Sequence, residues 1–153
     1  MARLSLSHSR DEMARLSRWL DKQERALAMP DRVAHAVRVC LEEAVVNLID
    51  HTPARSEDPD ISVDLGWQGD RMVAVIEDSG PPFDLRQAPL SERPKSLEDA
   101  TPGGLGILLI RSFASEIDYA SEPDRNQLTL RFIWCLKRNG EGTSDEPCQL
   151  PRG

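Results

Sequence analysis

Cysteine is scarce in this chain: Cys40, Cys135 and Cys148 are the only three among 153 residues. An odd number, without the close pairs of zinc or redox motifs, argues against a disulfide scaffold and reads as reduced, mostly structural thiols. Long apolar runs are missing too. No stretch approaches the roughly 18 residues that a membrane-spanning helix needs. Met1 to Arg10 has only Leu4 and Leu6 as large apolar residues after Met1, so no signal-peptide core is expected and the sequence reads as cytoplasmic. Positive charge is in deficit, with 19 Lys and Arg against 26 Asp and Glu and a net charge of −7. That balance speaks against direct binding of nucleic acid, which rests on a basic surface. What remains is ordinary: 39% hydrophobic and 29% charged residues. Such a chain buries a core and is neither fibrous nor wholly disordered. Its length suits one domain, expected over residues 1–137 and followed by a flexible Gly-, Pro- and charge-rich tail over 138–153.

Arg3 to Ser7 alternates polar and apolar side chains, the period of a strand with one buried face. Ser9 and Glu12 form a capping-box pattern, and Met13, Leu16, Leu20 and Leu27 continue at helical spacing to about Ala28. Pro30 and Asp31 restart a helix in which Val33, Val37, Cys40, Leu41, Ala44, Val45 and Leu48 make one apolar face ending near His51. Ile61 to Trp67 alternates and turns at Gly69-Asp70 into the nearly all-apolar run Met72 to Ile76, a hairpin with a central second strand. Residues 79–104 carry five prolines without sustained periodicity, a loop long enough to serve as a lid or only as a linker. An apolar helix over Leu105–Phe113 follows, then strands at Ile117–Tyr119 and Leu128–Trp134. The last places Leu128, Leu130, Phe132 and Trp134 on one face, with Thr129 and Arg131 on the other. The order predicts an α+β, two-layer sandwich: a mixed, mostly antiparallel sheet covered on one face by helices.

Three constellations carry chemistry on that scaffold. Glu43 and Asn47 lie four apart on the second helix and share a stripe, whereas Glu42 points about 100° away from Glu43. Asp78-Ser79-Gly80 closes the buried strand at 72–76. A carboxylate there can accept a hydrogen bond from an exocyclic amino group while the glycine admits a flat ring, though the same residues also suit a plain turn. Gly103-Gly104-Leu105-Gly106 opens the third helix, where N–H groups carry partial positive charge and glycines let phosphate oxygens approach. The same glycines suit a hinge.

In that order, the motifs resemble the GHKL ATPase superfamily, over about Leu4 to Trp134. Leu41-Glu42-Glu43-Ala44-Val45-Val46-Asn47 with His51, Asp78-Ser-Gly-Pro-Pro-Phe-Asp84 and Gly-Gly-Leu-Gly-Ile-Leu-Leu-Ile-Arg111 look most like its anti-sigma-factor serine/threonine kinase branch. The resemblance implies a Bergerat-type ATP-binding fold with ATP and Mg²⁺. Asn47 matches the Mg²⁺ ligand, Glu43 the catalytic base, Asp78 the adenine-amino acceptor and Gly80 its neighbour. Gly104 and Gly106 match the phosphate-facing glycines, with Gly103 allowing the turn, and Thr129 is a candidate for the adenine pocket. Pro82 stands where the branch often has glycine. His8, His35 and His51 fall in no phosphoacceptor motif and read as structural or surface residues.

The resemblance further implies an anti-sigma factor that phosphorylates Ser or Thr of an anti-anti-sigma (STAS-type) partner and sequesters a sigma factor, with homodimerisation open. The alternative is an ATP-dependent binding switch without chemistry. Glu43 separates the two, because a pure binder has no need of a carboxylate facing the γ-phosphate.

Overall fold

The structure, a computed structural model, describes residues 1–51, 60–87 and 104–134. The elements run β1 (Ala2–Leu6), α1 (Glu12–Ala26), α2 (Asp31–His51), β2 (Ile61–Gln68), β3 (Arg71–Asp78), α3 (Gly104–Phe113), β4 (Glu116–Glu122) and β5 (Arg125–Ile133). The strands form one five-stranded sheet in the order β1-β2-β3-β5-β4, and every pairing is antiparallel. The architecture is the expected α+β sandwich. β3 lies at the centre, as its apolar run requires, with Met72, Val73, Ala74 and Ile76 buried. The anticipated tail, most of the 79–104 loop and Gly103 lie outside the described residues.

Period-two alternation decides which side of the sheet is covered. Leu4 and Leu6 of β1, Val63 and Leu65 of β2 and Leu128, Leu130 and Phe132 of β5 all enter the core. From the helices, Leu16, Leu20, Val37, Leu41, Val45 and Ile110 meet them there. The other side of the sheet is polar and cross-linked: Arg3 donates to Glu77 at 2.9 Å, Arg71 to Glu116 at 3.0 Å, and Arg131 to Asp118. Exposed pairs of this kind add little stability each, but they keep an uncovered face of sheet wettable.

The ends of the first helix differ from the sequence pattern. Ser9 Oγ accepts the Asp11 N–H at 3.3 Å, and the Glu12 carboxylate accepts from Arg15 instead of reaching back, so no reciprocal capping box forms. At the other end Ala28 takes φ 47°, the Ala28 N–H donates to Arg25 O, and the Met29 N–H donates to Glu24 O. That is a Schellman stop with alanine where glycine is usual, and it ends α1 at Ala26. Trp67 Nε1 then donates to Leu27 O at 2.8 Å, pinning the helix end to the β2 hairpin.

Antiparallel pairing brings the end of β1, the start of β2, the end of β3 and the start of β5 to one end of the sheet. The last turn of α2 comes to that end too, because Arg10, just after β1, forms a bidentate pair with Asp50 at 2.8 and 2.5 Å. Asp78 and Gly80 lie at this end.

Candidate functional site

On α2, neighbouring carboxylates take different surroundings. Glu42 faces α1, where it belongs to the cluster around Arg38: that guanidinium reaches Asp21 at 2.5 Å, Glu24 at 2.8 Å and Glu42 at 3.4 Å. Glu43, a 100° rotation away, turns toward α3 instead. A Cβ built on Gly106 would lie 2.5 Å from Glu43 Oε2, closer than real Cβ contacts permit. Glycine at 106 leaves the carboxylate the place it occupies against the first turn of α3. Asn47, one turn further along, shares Glu43's stripe and is half-buried.

Cys40 lies one turn before Glu43 and is fully buried, its Sγ 3.9 Å from Ile110 O. Burial, reinforced by the negative charge of Glu43, pushes its thiol up to about 12. A thiol so protonated is a small packing group between α2 and α3 rather than a nucleophile.

At the end of β3, Asp78 pairs in register with Asn126 of β5. Asp78 Oδ2 accepts the Gly80 N–H at 2.9 Å and an Asn126 Nδ2 hydrogen at 3.3 Å. Asn126 also donates to Gly80 O at 2.8 Å and accepts from the Ser121 hydroxyl at 2.8 Å. Asn126 is 3% exposed, so this amide is a buried polar group with partners on both ends. Burial raises the Asp78 carboxyl above its ordinary value. The bonds from Gly80 and Asn126 oppose that rise, Asp60 adds to it and His8 counters it. The chain leaving Gly80 is fixed by the Phe83 N–H, which donates to the Tyr119 hydroxyl at 2.8 Å. Pro81, Pro82 and Phe83 are exposed there, and Pro82 has no N–H to offer.

The structure thus joins Glu43 to Gly106, and Asp78 to Gly80, with Gly104 as the first residue of α3. Thr129 is not brought to Asp78. It pairs with Val75 and Asp118, and it lies on the polar side of the sheet where Arg131, two residues on, meets Asp118. The reason is strand alternation: 126, 128, 130 and 132 point to the helices, and an odd position points away. Asn126, and not Thr129, is the β5 residue that lies beside Asp78 and Gly80. Its signal was present in the sequence, because Asn126 is in phase with the Leu128–Phe132 stripe. Choosing it needed the register with β3. Among the described residues no group of three or more His, Cys, Asp or Glu could hold a metal ion. No helix among them is long and apolar enough to cross a membrane.

Comparison with known proteins identifies the family. The histidine kinase-like ATPase domain matches residues 6–132, and the chain belongs to that family. It is 30% identical over 116 residues to the serine/threonine-protein kinase BtrW of Bordetella bronchiseptica, covering 73% of this chain and 79% of that one. It is 26% identical over 85 residues to the serine-protein kinase RsbW of Oceanobacillus iheyensis, covering 53% of this chain and 54% of that one. In fold it is similar to the crystal structure of the RsbU and RsbW domains of Rv1364c from Mycobacterium tuberculosis. The TM-score is 0.64 at 14% identity, over 86% of this chain and 32% of the longer one.

Proposed function

We propose that this protein is an ATP-dependent serine/threonine protein kinase whose substrate is an anti-anti-sigma protein of the STAS type, and that it also sequesters a sigma factor. The observation that carries the reading is the Glu43–Gly106 contact. A carboxylate held against the first turn of a glycine-opened helix stands where the N–H groups of that helix would receive phosphate oxygens. A nucleotide-binding module without chemistry needs the helix start but not the carboxylate.

The roles follow from the residues. Asp78 accepts the exocyclic amino group of adenine, with Gly80 beside it leaving room for the ring and Asn126 bracing both. The opening amides at Gly104–Gly106 face the phosphates, and Gly103 precedes them in the sequence. Glu43 takes the proton of the partner's serine or threonine hydroxyl as that oxygen bonds to the γ-phosphorus. The bond from the γ-phosphorus to the β–γ bridging oxygen breaks, and ADP leaves. Asn47 would hold Mg²⁺ beside the phosphates, in keeping with an ion that retains waters and takes few protein oxygens. When bound, the ion neutralises phosphate charge.

Incubation with γ-labelled ATP, Mg²⁺ and STAS-domain proteins of the same genome tests this. Label on a serine or threonine of one such protein is expected. ATP binding with no transfer to any of them would contradict the kinase reading.

A further inference from the structure

The end of the sheet that holds Asp78 carries a second, unassigned polar cluster. Asp60, just before β2, is 4% exposed, and the imidazole of His8, just after β1, is 10% exposed. The Ser79 hydroxyl donates to Asp60 Oδ1, and His8 Nδ1 lies 3.7 Å from Asp60 Oδ2. Three strand ends thus place a histidine, a carboxylate and a hydroxyl together, with Ser79 adjacent in sequence to Asp78. Both ring nitrogens of His8 are buried, with no hydrogen-bond partner among the described residues. Buried polar atoms are normally paired, so an imidazole left this way beside a buried carboxylate calls for a reason.

We propose that His8 is a positioning residue for the nucleotide base: it engages the Asp60 carboxylate and thereby holds the adjoining Asp78 as a pure acceptor for the exocyclic amino group of adenine. The inference rests on the adenine role proposed above for Asp78. Two carboxylates sharing a poorly solvated site repel, and one of them then tends to keep a proton. Asp60 acts on Asp78 in that sense, and His8 acts against it. Without His8, a protonated Asp78 would present a donor. A donor cannot serve the 6-amino group of adenine, but it suits the 6-oxo group of hypoxanthine. His8 would therefore set the choice between the two bases without touching either.

The test is calorimetric binding of ATP and of inosine triphosphate to the full chain, in wild type, His8→Phe and the double variant His8→Phe/Asp60→Asn. Wild type is expected to prefer ATP. In His8→Phe that preference should fall at least tenfold, with ATP bound more weakly and inosine triphosphate bound as tightly as in wild type or more tightly, the size expected when one hydrogen bond is lost. Removing the opposing charge with Asp60→Asn should restore it, since an asparagine oxygen can still accept from Ser79. An unchanged preference in His8→Phe, a parallel loss of both nucleotides, or no recovery in the double variant would overturn the proposal. If His8→Phe does not fold, Asp60→Asn alone decides: its preference should equal or exceed that of wild type, and a fall overturns the proposal. A wild type that binds both nucleotides equally would defeat the adenine role of Asp78 itself, and the role of His8 with it.

Discussion

Gly106 and Glu43 are a matched pair across two helices: the carboxylate occupies the space that any side chain at 106 would need, with Oε2 2.5 Å from where a Cβ would stand. The contact joins residues 63 positions apart in the sequence and gives the glycine a purpose beyond flexibility.

Gly106→Ala should separate stability from activity. Alanine in a helix is worth about 0.5–1 kcal/mol over glycine, and the clashing atom is the far end of a flexible side chain, so the fold should survive. The carboxylate must move, however, and phosphoryl transfer should fall at least tenfold, since misplacing a catalytic group by about 1 Å can cost 10²-fold. Thermal melting within a few degrees of wild type alongside lost transfer is the expected pair of results.

Asp78→Asn should weaken ATP binding by about 1–3 kcal/mol, because the amide brings a donor to a place that needs an acceptor. The apoprotein should not lose stability in parallel. Burial raises the Asp78 carboxyl, so in the free protein the ionised group is a cost of folding at neutral pH that the amide removes. For the same reason ATP affinity in wild type should start to decline, on acidification, at a higher pH than an ordinary carboxylate would give. Calorimetry across pH, paired with melting curves, checks both.

Cys40 should resist thiol reagents in the folded protein and react once it is denatured, as peptide mapping after alkylation will show. Its thiol is raised from an ordinary 9.0 to about 12, so the native state holds the proton more tightly than the unfolded chain. That contribution is complete below pH 9 and is lost as pH rises from about 9 toward 12. The stability difference between wild type and Cys40→Ala, about 1 kcal/mol for the lost packing, should therefore narrow over that range.

Ala28→Gly should stabilise the protein by up to about 1 kcal/mol, since Ala28 is exposed and holds φ 47°, a conformation that costs an alanine roughly that much. A lowered denaturation midpoint would show that the entropy of the added glycine outweighs the relieved strain.

The strands and the buried face of α2 were legible because burial imposes a period, and a period survives in one sequence. Local hydrogen bonding was less so. Ser9 and Glu12 have the capping pattern, yet Arg15 competes for the Glu12 carboxylate, and a pattern does not show the competitor. Motif order alone makes Glu43, Asn47, Asp78 and the glycines at 104 and 106 candidates, while the contact between Glu43 and Gly106 needs the packing of α3 on α2. Thr129 and Asn126 show the limit most clearly. Both are polar residues on one strand, but an odd step in a period-two element changes the face. Only the register of β5 on β3 says which of them lies beside Asp78. His8 reads as an isolated histidine until three strand ends converge on it.

If Glu43 is a catalytic base and not a binding group, Glu43→Gln removes the chemistry and leaves nucleotide binding in place. Glutamine keeps the size and hydrogen-bonding reach of the side chain but cannot take up the hydroxyl proton. With γ-labelled ATP, Mg²⁺ and the unphosphorylated STAS-domain acceptor, single-turnover transfer should fall by roughly 10²–10⁴ while ATP affinity changes little. Transfer at the wild-type rate in Glu43→Gln would contradict the account.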